Sequence, residues 1–577
     1  MKKKYVRWTL WTIASPFILF VILCILIYLP PIQNFLVDKA AVYASEATGM
    51  NISVGRISLS FPLNLVVTDV DAASPHNDTL LSVRRLQVNV QLLPLLKKQV
   101  EVDGISLQGA TVNSNDLIHG MKLNGTLGEL FISSHGVALD PETAIVNKVL
   151  LKDTDLSLCL NDTAAADTAA SDTTYWKIIL QDIDLQNVSF ALDMPLDSLS
   201  LAASLDNAIL RDGLIDLHKS AYSLQTFRIK NGRVRYDSGK PLAADSLSSG
   251  LDPSHIALTD IGVKLDSLYY EGRNMKAIIS QFVLKERSGV EIVSVTGRMV
   301  SNDKVLRVPS LKLETRDSYL ELNAAMDWNA LDFKGEGLMS ARLMADIGKP
   351  DVVRFMGRMD EKFVRQYPSE PLRIRTGIDG DLNKLKLTTL TAELPGALGL
   401  FARGELTHLT DSLLRGGDIT LEAETKDLKF VSTLAEGIEI PYGTRLEGKF
   451  TMAGAKMGTD LLLMQPEAQA VAAADTIPIT VYNDSISVAD DFKMERAARL
   501  FAKYDLSRDR YEADLAVNHF DLHQFMPADS LYTLSTRLKV EGEGFDFFSP
   551  RTYFNAEGGI DRFHYGSYCL LYTSPSP

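Results

Sequence analysis

From Asn51 onward the chain alternates between apolar and polar residues. In Leu86-Gln-Val-Asn-Val-Gln-Leu, residues Leu86, Val88, Val90 and Leu92 fall on one side, and Gln87, Asn89 and Gln91 on the other. Successive side chains of a strand point to opposite faces, so this pattern specifies a strand with one apolar and one wetted face. It recurs in Ile105-Ser-Leu-Gln, Leu156-Ser-Leu-Cys-Leu, Val188-Ser-Phe-Ala-Leu, Phe227-Arg-Ile-Lys and Val234-Arg-Tyr. Further on come Val263-Lys-Leu-Asp, Leu311-Lys-Leu-Glu and Tyr319-Leu-Glu-Leu-Asn. The last clear hairpin runs from Leu500-Phe-Ala-Lys-Tyr-Asp-Leu through Ser507-Arg-Asp-Arg to Tyr511-Glu-Ala-Asp-Leu-Ala-Val. A chain of this kind is mainly β.

Several phrases share one form. Val102-Asp-Gly-Ile-Ser-Leu-Gln-Gly-Ala-Thr-Val, Leu151-Lys-Asp-Thr-Asp-Leu-Ser-Leu, Leu180-Gln-Asp-Ile-Asp-Leu-Gln-Asn-Val-Ser-Phe and Phe227-Arg-Ile-Lys-Asn-Gly-Arg-Val-Arg-Tyr each read as strand, small polar kink, strand. Such repetition points to a quasi-one-dimensional array. The dipeptides Asp103-Gly104, Asn124-Gly125, Asn231-Gly232, Asp379-Gly380 and Gly416-Gly417 carry turn chemistry and are expected between strands. Asn161 to Thr174 is small and polar and reads as a flexible surface loop; Gln465 to Thr476 reads as an Ala-rich linker. Val352, Phe355, Met356, Met359 and Phe363 recur at helical spacing, which predicts one amphipathic helix over 351–367. The repeating array is expected over 51–566, with 567–577 as an aberrant or truncated tail of a fragment.

Ahead of the array, Trp8 to Leu29 contains no Asp, Glu, Lys or Arg and has the length of one bilayer crossing. Its Phe17 to Ile27 run favours insertion by roughly 3–6 kcal/mol. Lys2, Lys3, Lys4 and Arg7 precede it, so the N-terminus is expected inside and the remainder exported. The run is longer than a secretory h-region, and Tyr28, Pro30 and Pro31 follow it rather than a small-residue cleavage site. Residues 1–30 are therefore expected to be a basic start and a retained transmembrane anchor. Ile32, Phe35, Leu36, Lys39, Val42 and Tyr43 predict an amphipathic helix over 31–50. Cys24, Cys159 and Cys569 offer no plausible pair, so the fold is expected to rest on burial rather than disulfides.

The chain carries a net charge of −14, which argues against a nucleic-acid partner. No Walker, dinucleotide or nucleophile-elbow signature occurs. His519 and His523 have i, i+4 spacing but sit in strand context without a Glu, where that spacing separates them by about 13 Å. No catalytic, cofactor or metal residue is assigned, and the chain reads as a non-enzyme without a cofactor.

A long exported sheet with one apolar face needs something to cover that face. A lipid chain can do so, since each CH₂ leaving a bilayer costs about 0.8 kcal/mol in water. The candidate groove residues are Leu86, Val88, Val90, Leu92, Val234, Tyr236, Val263 and Leu265.

The anchor, Asn51-Ile-Ser-Val-Gly-Arg-Ile-Ser-Leu-Ser-Phe-Pro-Leu, Leu92-Leu-Pro-Leu-Leu-Lys-Lys-Gln-Val-Glu-Val-Asp-Gly-Ile-Ser-Leu-Gln-Gly-Ala and Leu394-Pro-Gly-Ala-Leu-Gly-Leu-Phe-Ala-Arg-Gly-Glu-Leu carry a resemblance. Together they resemble the AsmA-like superfamily, and within it the TamB-type translocation and assembly module proteins in a Bacteroidetes-like form. The resemblance implies an inner-membrane-anchored, elongated and curved periplasmic β-groove of a Gram-negative bacterium, with a few short helices. It implies a role in outer-membrane biogenesis, either moving phospholipid between membranes or assisting outer-membrane protein assembly with a TamA-type barrel. The family's C-terminal partner-binding domain has no counterpart in this sequence. The competing expectation is an exported scaffold of stacked β-sandwiches with no transport role.

Overall fold

The computed structural model describes residues 50–60, 64–74, 79–90, 102–114, 121–138, 142–160, 176–239, 250–331, 337–357, 359–434, 437–465, 480–481, 486–487, 496–546 and 552–571, together with 39, 41, 42, 45 and 549. The expected anchor at Trp8–Leu29, most of the 31–50 helix, the 161–174 loop, Leu92 and residues 572–577 lie outside them. Among the described residues, no helix is long and apolar enough to cross a membrane. The chain divides into two compact units, residues 1–247 with 252–287, and 248–251 with 288–577.

The first unit contains β1 (Asn51–Ser60), β2 (Asn64–Ala73), β3 (Thr79–Val90), β4 (Val102–Asn113), β5 (Met121–Ala138) and β6 (Thr143–Leu160). It continues with β7 (Lys177–Met194), β8 (Leu199–Asp216), β9 (Ala221–Leu224), β10 (Thr226–Ser238), β11 (His255–Glu271) and β12 (Asn274–Glu286). From β1 to β8 each strand pairs with the next, β10 pairs with β8 and β11, and β11 also pairs with β9 and β12. All these pairs are antiparallel except β6 with β7. A parallel pair needs a crossover of a dozen or more residues, and residues 161–176 supply that length. Strands β5 to β8 are each 18 residues long, about 60 Å at the usual rise.

Strands of this unit, long and shorter alike, are creased. Positions on the apolar face, two apart elsewhere, become three apart from Val83 to Leu86, Leu107 to Ala110, Leu151 to Thr154 and Ile229 to Gly232. The ladders skip one residue on both sides, as at Asp69 with Arg84 and Arg84 with Gly109, so register is kept there, whereas β11 shifts register against both β10 and β12. Strands β2, β4, β6, β7 and β10 run the same way, and each has a left-handed residue at the crease. These are Asp69 (φ 53°), Gly109 (φ 64°), Asp153 (φ 49°), Asn187 (φ 52°) and Asn231 (φ 54°). Asp, Asn and Gly tolerate this conformation best among the residue types. Neighbours bond along the crease: Asn187 Nδ2 donates to Asp153 Oδ1 at 2.9 Å, and Asn231 Nδ2 donates to Asp206. The repeated strand, kink, strand phrases mark this line.

The strand pairing corrects the turn reading. Asp103-Gly104, Asn124-Gly125 and Asn231-Gly232 lie inside β4, β5 and β10. Gly125 serves close approach rather than a turn, since a Cβ there would stand 2.3 Å from the Asp155 carbonyl oxygen.

The second unit contains β13 (Glu291–Ser301), β14 (Val305–Thr315), β15 (Tyr319–Asp327), β16 (Met339–Ile347), β17 (Leu372–Gly380), β18 (Lys384–Leu394), β19 (Leu398–Thr407) and β20 (Gly416–Thr425). Then follow β21 (Arg445–Ala453), β22 (Lys456–Gln465), the small pair β23 (Thr480–Val481) and β24 (Ile486–Ser487), β25 (Arg496–Asp505), β26 (Arg510–Asp521), β27 (Leu531–Glu543), β28 (Tyr553–Tyr565) and β29 (Tyr568–Leu571). Its main sheet is an antiparallel meander from β13 to β22 and on through β25 to β29. The expected linker begins with Gln465, which is instead fully buried. Its amide bonds the Asp521 backbone in both directions, at 2.9 and 2.8 Å. The array also continues past 566, because β29 pairs with β28.

The single helix expected over 351–367 is two helices, α1 (Lys349–Met356) and α2 (Glu361–Gln366). Gly357 at φ 75° ends the first, and the Asp360 carboxylate caps the second by accepting from the Lys362 amide at 2.6 Å. Asp351, 1% exposed, fastens α1 to the β14–β15 turn. It accepts from Ser318 Oγ at 2.6 Å and from Thr315, and pairs with Arg354 at 3.0 Å. Phe363 and Tyr367 pack with Leu394, Ala397, Leu428 and Phe430 into a buried cluster. The rings of Phe363, Tyr367 and Phe430 lie 5.1–5.7 Å apart at tilted or edge-on angles, as aromatic clusters favour.

Candidate functional site

Residues directly opposite in a ladder share a face of the sheet. Across the first unit the ladders join Leu59, Leu65, Val88, Ile105, Ile132, Val149, Ile183, Leu210, Phe227, Leu265 and Ile279 into one apolar row. A second row beside it runs Ile57, Val67, Leu86, Leu107, Leu130, Leu151, Leu185, Ala208, Ile229, Val263 and Phe282. Beyond the crease, Val234 continues a row through Ala203, Phe190, Leu156 and Gly125, and Tyr236 one through Leu201, Leu192 and Leu158.

Six of the eight residues named from the sequence therefore share one face: Leu86, Val88, Val234, Tyr236, Val263 and Leu265. Val90 is described through its pairing with Val102, and Leu92 lies outside the described residues. Most side chains of these rows are half-buried, with Ile105 and Phe190 exposed. The main contacts of each described strand in this unit are with its ladder neighbours, so no second layer of described elements packs over the face.

The second unit has an apolar row of its own, and there β23 and β24 pack against β19 and β20. One row runs Leu311, Leu322, Leu343, Thr376, Leu390, Ala402, Leu421, Gly448, Leu461, Leu500, Leu515 and Leu538. On this face lies a pocket of about 500 Å³, lined by Leu406, Ile419, Phe450, Met452, Met457, Tyr504, Tyr511 and Phe545 among others. That volume is in the usual range for small-ligand sites. The sequence reading missed this pocket. Tyr511, Ala513 and Leu515 stood in a recognised alternation, but nothing in it marks where large residues give way to small ones.

The opposite face is wetted and charged. Cross-strand pairs include Arg375 with Asp346 at 2.7 Å, Lys384 with Glu405 at 3.1 Å and Arg499 with Asp460 at 2.6 Å. The Arg499 guanidinium holds the Asp460 carboxyl below its ordinary range. The Tyr319 hydroxyl donates to Glu321 at 2.7 Å, and that bond pushes its pKa up to about 12. Burial pushes the Glu424 carboxyl up.

Among the described residues, no group of three His, Cys, Asp or Glu side chains is placed to hold a metal ion. His519 and His523 are engaged separately. His519 Nδ1 lies 2.8 Å from Asn518 Oδ1, and His523 stacks on Tyr532 at 4.6 Å. The two faces thus differ in polarity: one carries the apolar rows, the other the charged pairs. No family model matches the chain, and no curated protein matches it.

Proposed function

We propose that this chain is an inner-membrane-anchored, periplasmic β-groove protein of the AsmA-like, TamB type that carries phospholipid toward the outer membrane. The observation that supports this reading is the row of apolar residues that crosses the first unit without interruption and without a covering layer of described elements. An acyl chain in water loses about 0.8 kcal/mol per CH₂ relative to a bilayer. A continuous apolar face removes most of that loss at every step along it, with no chemical transformation required. Trp8–Leu29 would fix one end of the route at the donor membrane. The groove is elongated and curved in this reading, and a TamA-type barrel is its partner.

Photo-crosslinkers placed in cells at Leu86, Val88, Val234 and Val263 test it. Phospholipid is expected on these positions and not on Gln87 or Asn89. Equal labelling of both faces contradicts the proposal. Capture of unfolded outer-membrane protein in place of lipid shifts it to the assembly role.

A further inference from the structure

The apolar face of the second unit is not level. Leu461, Leu500 and Leu515 are large, and so are Met457, Tyr504 and Tyr511 in the row beyond. Between them, opposite one another on three adjacent strands, stand Thr459, Ala502 and Ala513. Small residues between two large rows leave a dip, and this dip floors the 500 Å³ pocket. Three strands side by side make a floor about 10 Å long.

Phe545 stands over one margin. Its ring is stacked on Tyr511 at 4.8 Å and lies 5.9 Å from Tyr504. The Gly544 amide ties this connection back by donating to the Asp509 carbonyl at 2.9 Å, and the Tyr504 hydroxyl donates to the Asp509 carboxylate. Phe545 is nevertheless 59% exposed, which leaves much of its ring uncovered by protein.

We infer that the dip over Ala502 and Ala513 is a station that holds one unbranched hydrocarbon chain, and that Phe545 is the strap that closes it; this rests on the groove reading above. The polar side chains on this face of the pocket are Thr459 and the phenols of Tyr504 and Tyr511, that of Tyr504 already engaged by Asp509; Thr451, Lys503 and Glu512 also line it but stand at the alternate positions, which belong to the opposite face. A charged or strongly hydrogen-bonding occupant would lose its hydration without replacement. The floor is one side chain wide between the two large rows, which suits a chain rather than a fused ring. The ring of Phe545 then lies across the occupant, so the station slows passage at one point instead of conducting evenly.

The test uses the full chain in membranes with hexadecanoic acid carrying a diazirine, and maps the adducts by peptide. Adducts are expected on the peptides that contain Ala502 and Ala513. Ala513→Leu and, separately, Ala502→Leu fill the dip and should lower these adducts about fivefold, leaving those around Leu86 and Leu107 unchanged. Phe545→Ala, a change at an exposed side chain, should speed probe exchange about fivefold, whereas Phe545→Trp keeps it slow. Unchanged dip adducts in both filled variants, or unchanged exchange in Phe545→Ala, overturn the station. Adducts confined to the first unit overturn the station alone, and adducts in neither unit overturn the groove reading with it.

Discussion

The two units solve the same problem differently. The first has strands of up to 18 residues, and its most buried apolar side chains are chiefly small: Ala72, Ala110, Ala208 and Ala221, with Leu80 and Val83. Its rigidity comes from ladders and from the crease, where polar side chains bond from strand to strand. The second has strands of 9 to 13 residues in its main sheet up to β28, and gathers Phe363, Tyr367, Leu394, Leu428 and Phe430 into a buried cluster at the strand ends. In the first unit no layer of described elements covers the apolar face, and the sheet is held within its own plane. In the second, β23 and β24 pack against β19 and β20, and the largest buried cluster lies at the strand ends.

The largest expected effect is in the end cluster. Phe363 is 2% exposed, and Phe363→Ala should cost about 3–5 kcal/mol in denaturant unfolding. Hydrogen exchange should place the loss in the second unit; an equal loss of protection in β1 to β8 would break the comparison. Next is Asp351→Ala, which leaves Arg354 with its second carboxylate, Asp317 at 3.0 Å, but takes the acceptor from the Thr315 and Ser318 hydroxyls and frees α1 from the β14–β15 turn. The loss of a buried acceptor should cost about 1–3 kcal/mol by the same measurement.

The crease is tested at Asn231. Asn231→Ala should cost about 1–2 kcal/mol, because alanine resists the left-handed region, whereas Asn231→Gly should be nearly neutral. Equal effects of the two variants would mean that the backbone conformation there is not what matters. The smallest effect is on the wetted face. A double-mutant cycle on Arg499 and Asp460 should give about 0.2–1 kcal/mol of coupling. Asp460 has a folded pKa below its unfolded value, so the coupling is present above about pH 4 and fades as pH falls through the folded pKa.

The alternation that builds both faces was legible residue by residue, in Leu86 to Leu92 and again in Tyr511 to Val517. The kink was legible too, but its meaning was not. Asn231-Gly232 and Asn124-Gly125 have the composition of hairpin turns, and only the pairing partners on either side show that the strand continues through them. Gly357 split an apolar stripe that looked continuous, because helical periodicity does not register a break when the spacing survives it. The aromatic end cluster and the dip escaped for a common reason. Phe363 meets Phe430, and Thr459 meets Ala502, through contacts between distant segments, and local pattern carries no record of which segments will be neighbours.

The central claim is that an unbroken apolar row is what the protein works with. Leu130 and Leu151 are directly opposite in the middle of that row. Replacing both with Glu, in cells whose phospholipid is pulse-labelled, should cut delivery to the outer membrane about tenfold or more, given the cost of passing hydrocarbon over charge. The same two charges placed at Gln87 and Ser106, opposite one another on the wetted face, should leave delivery intact. Full delivery by a folded Leu130→Glu, Leu151→Glu protein would contradict the account.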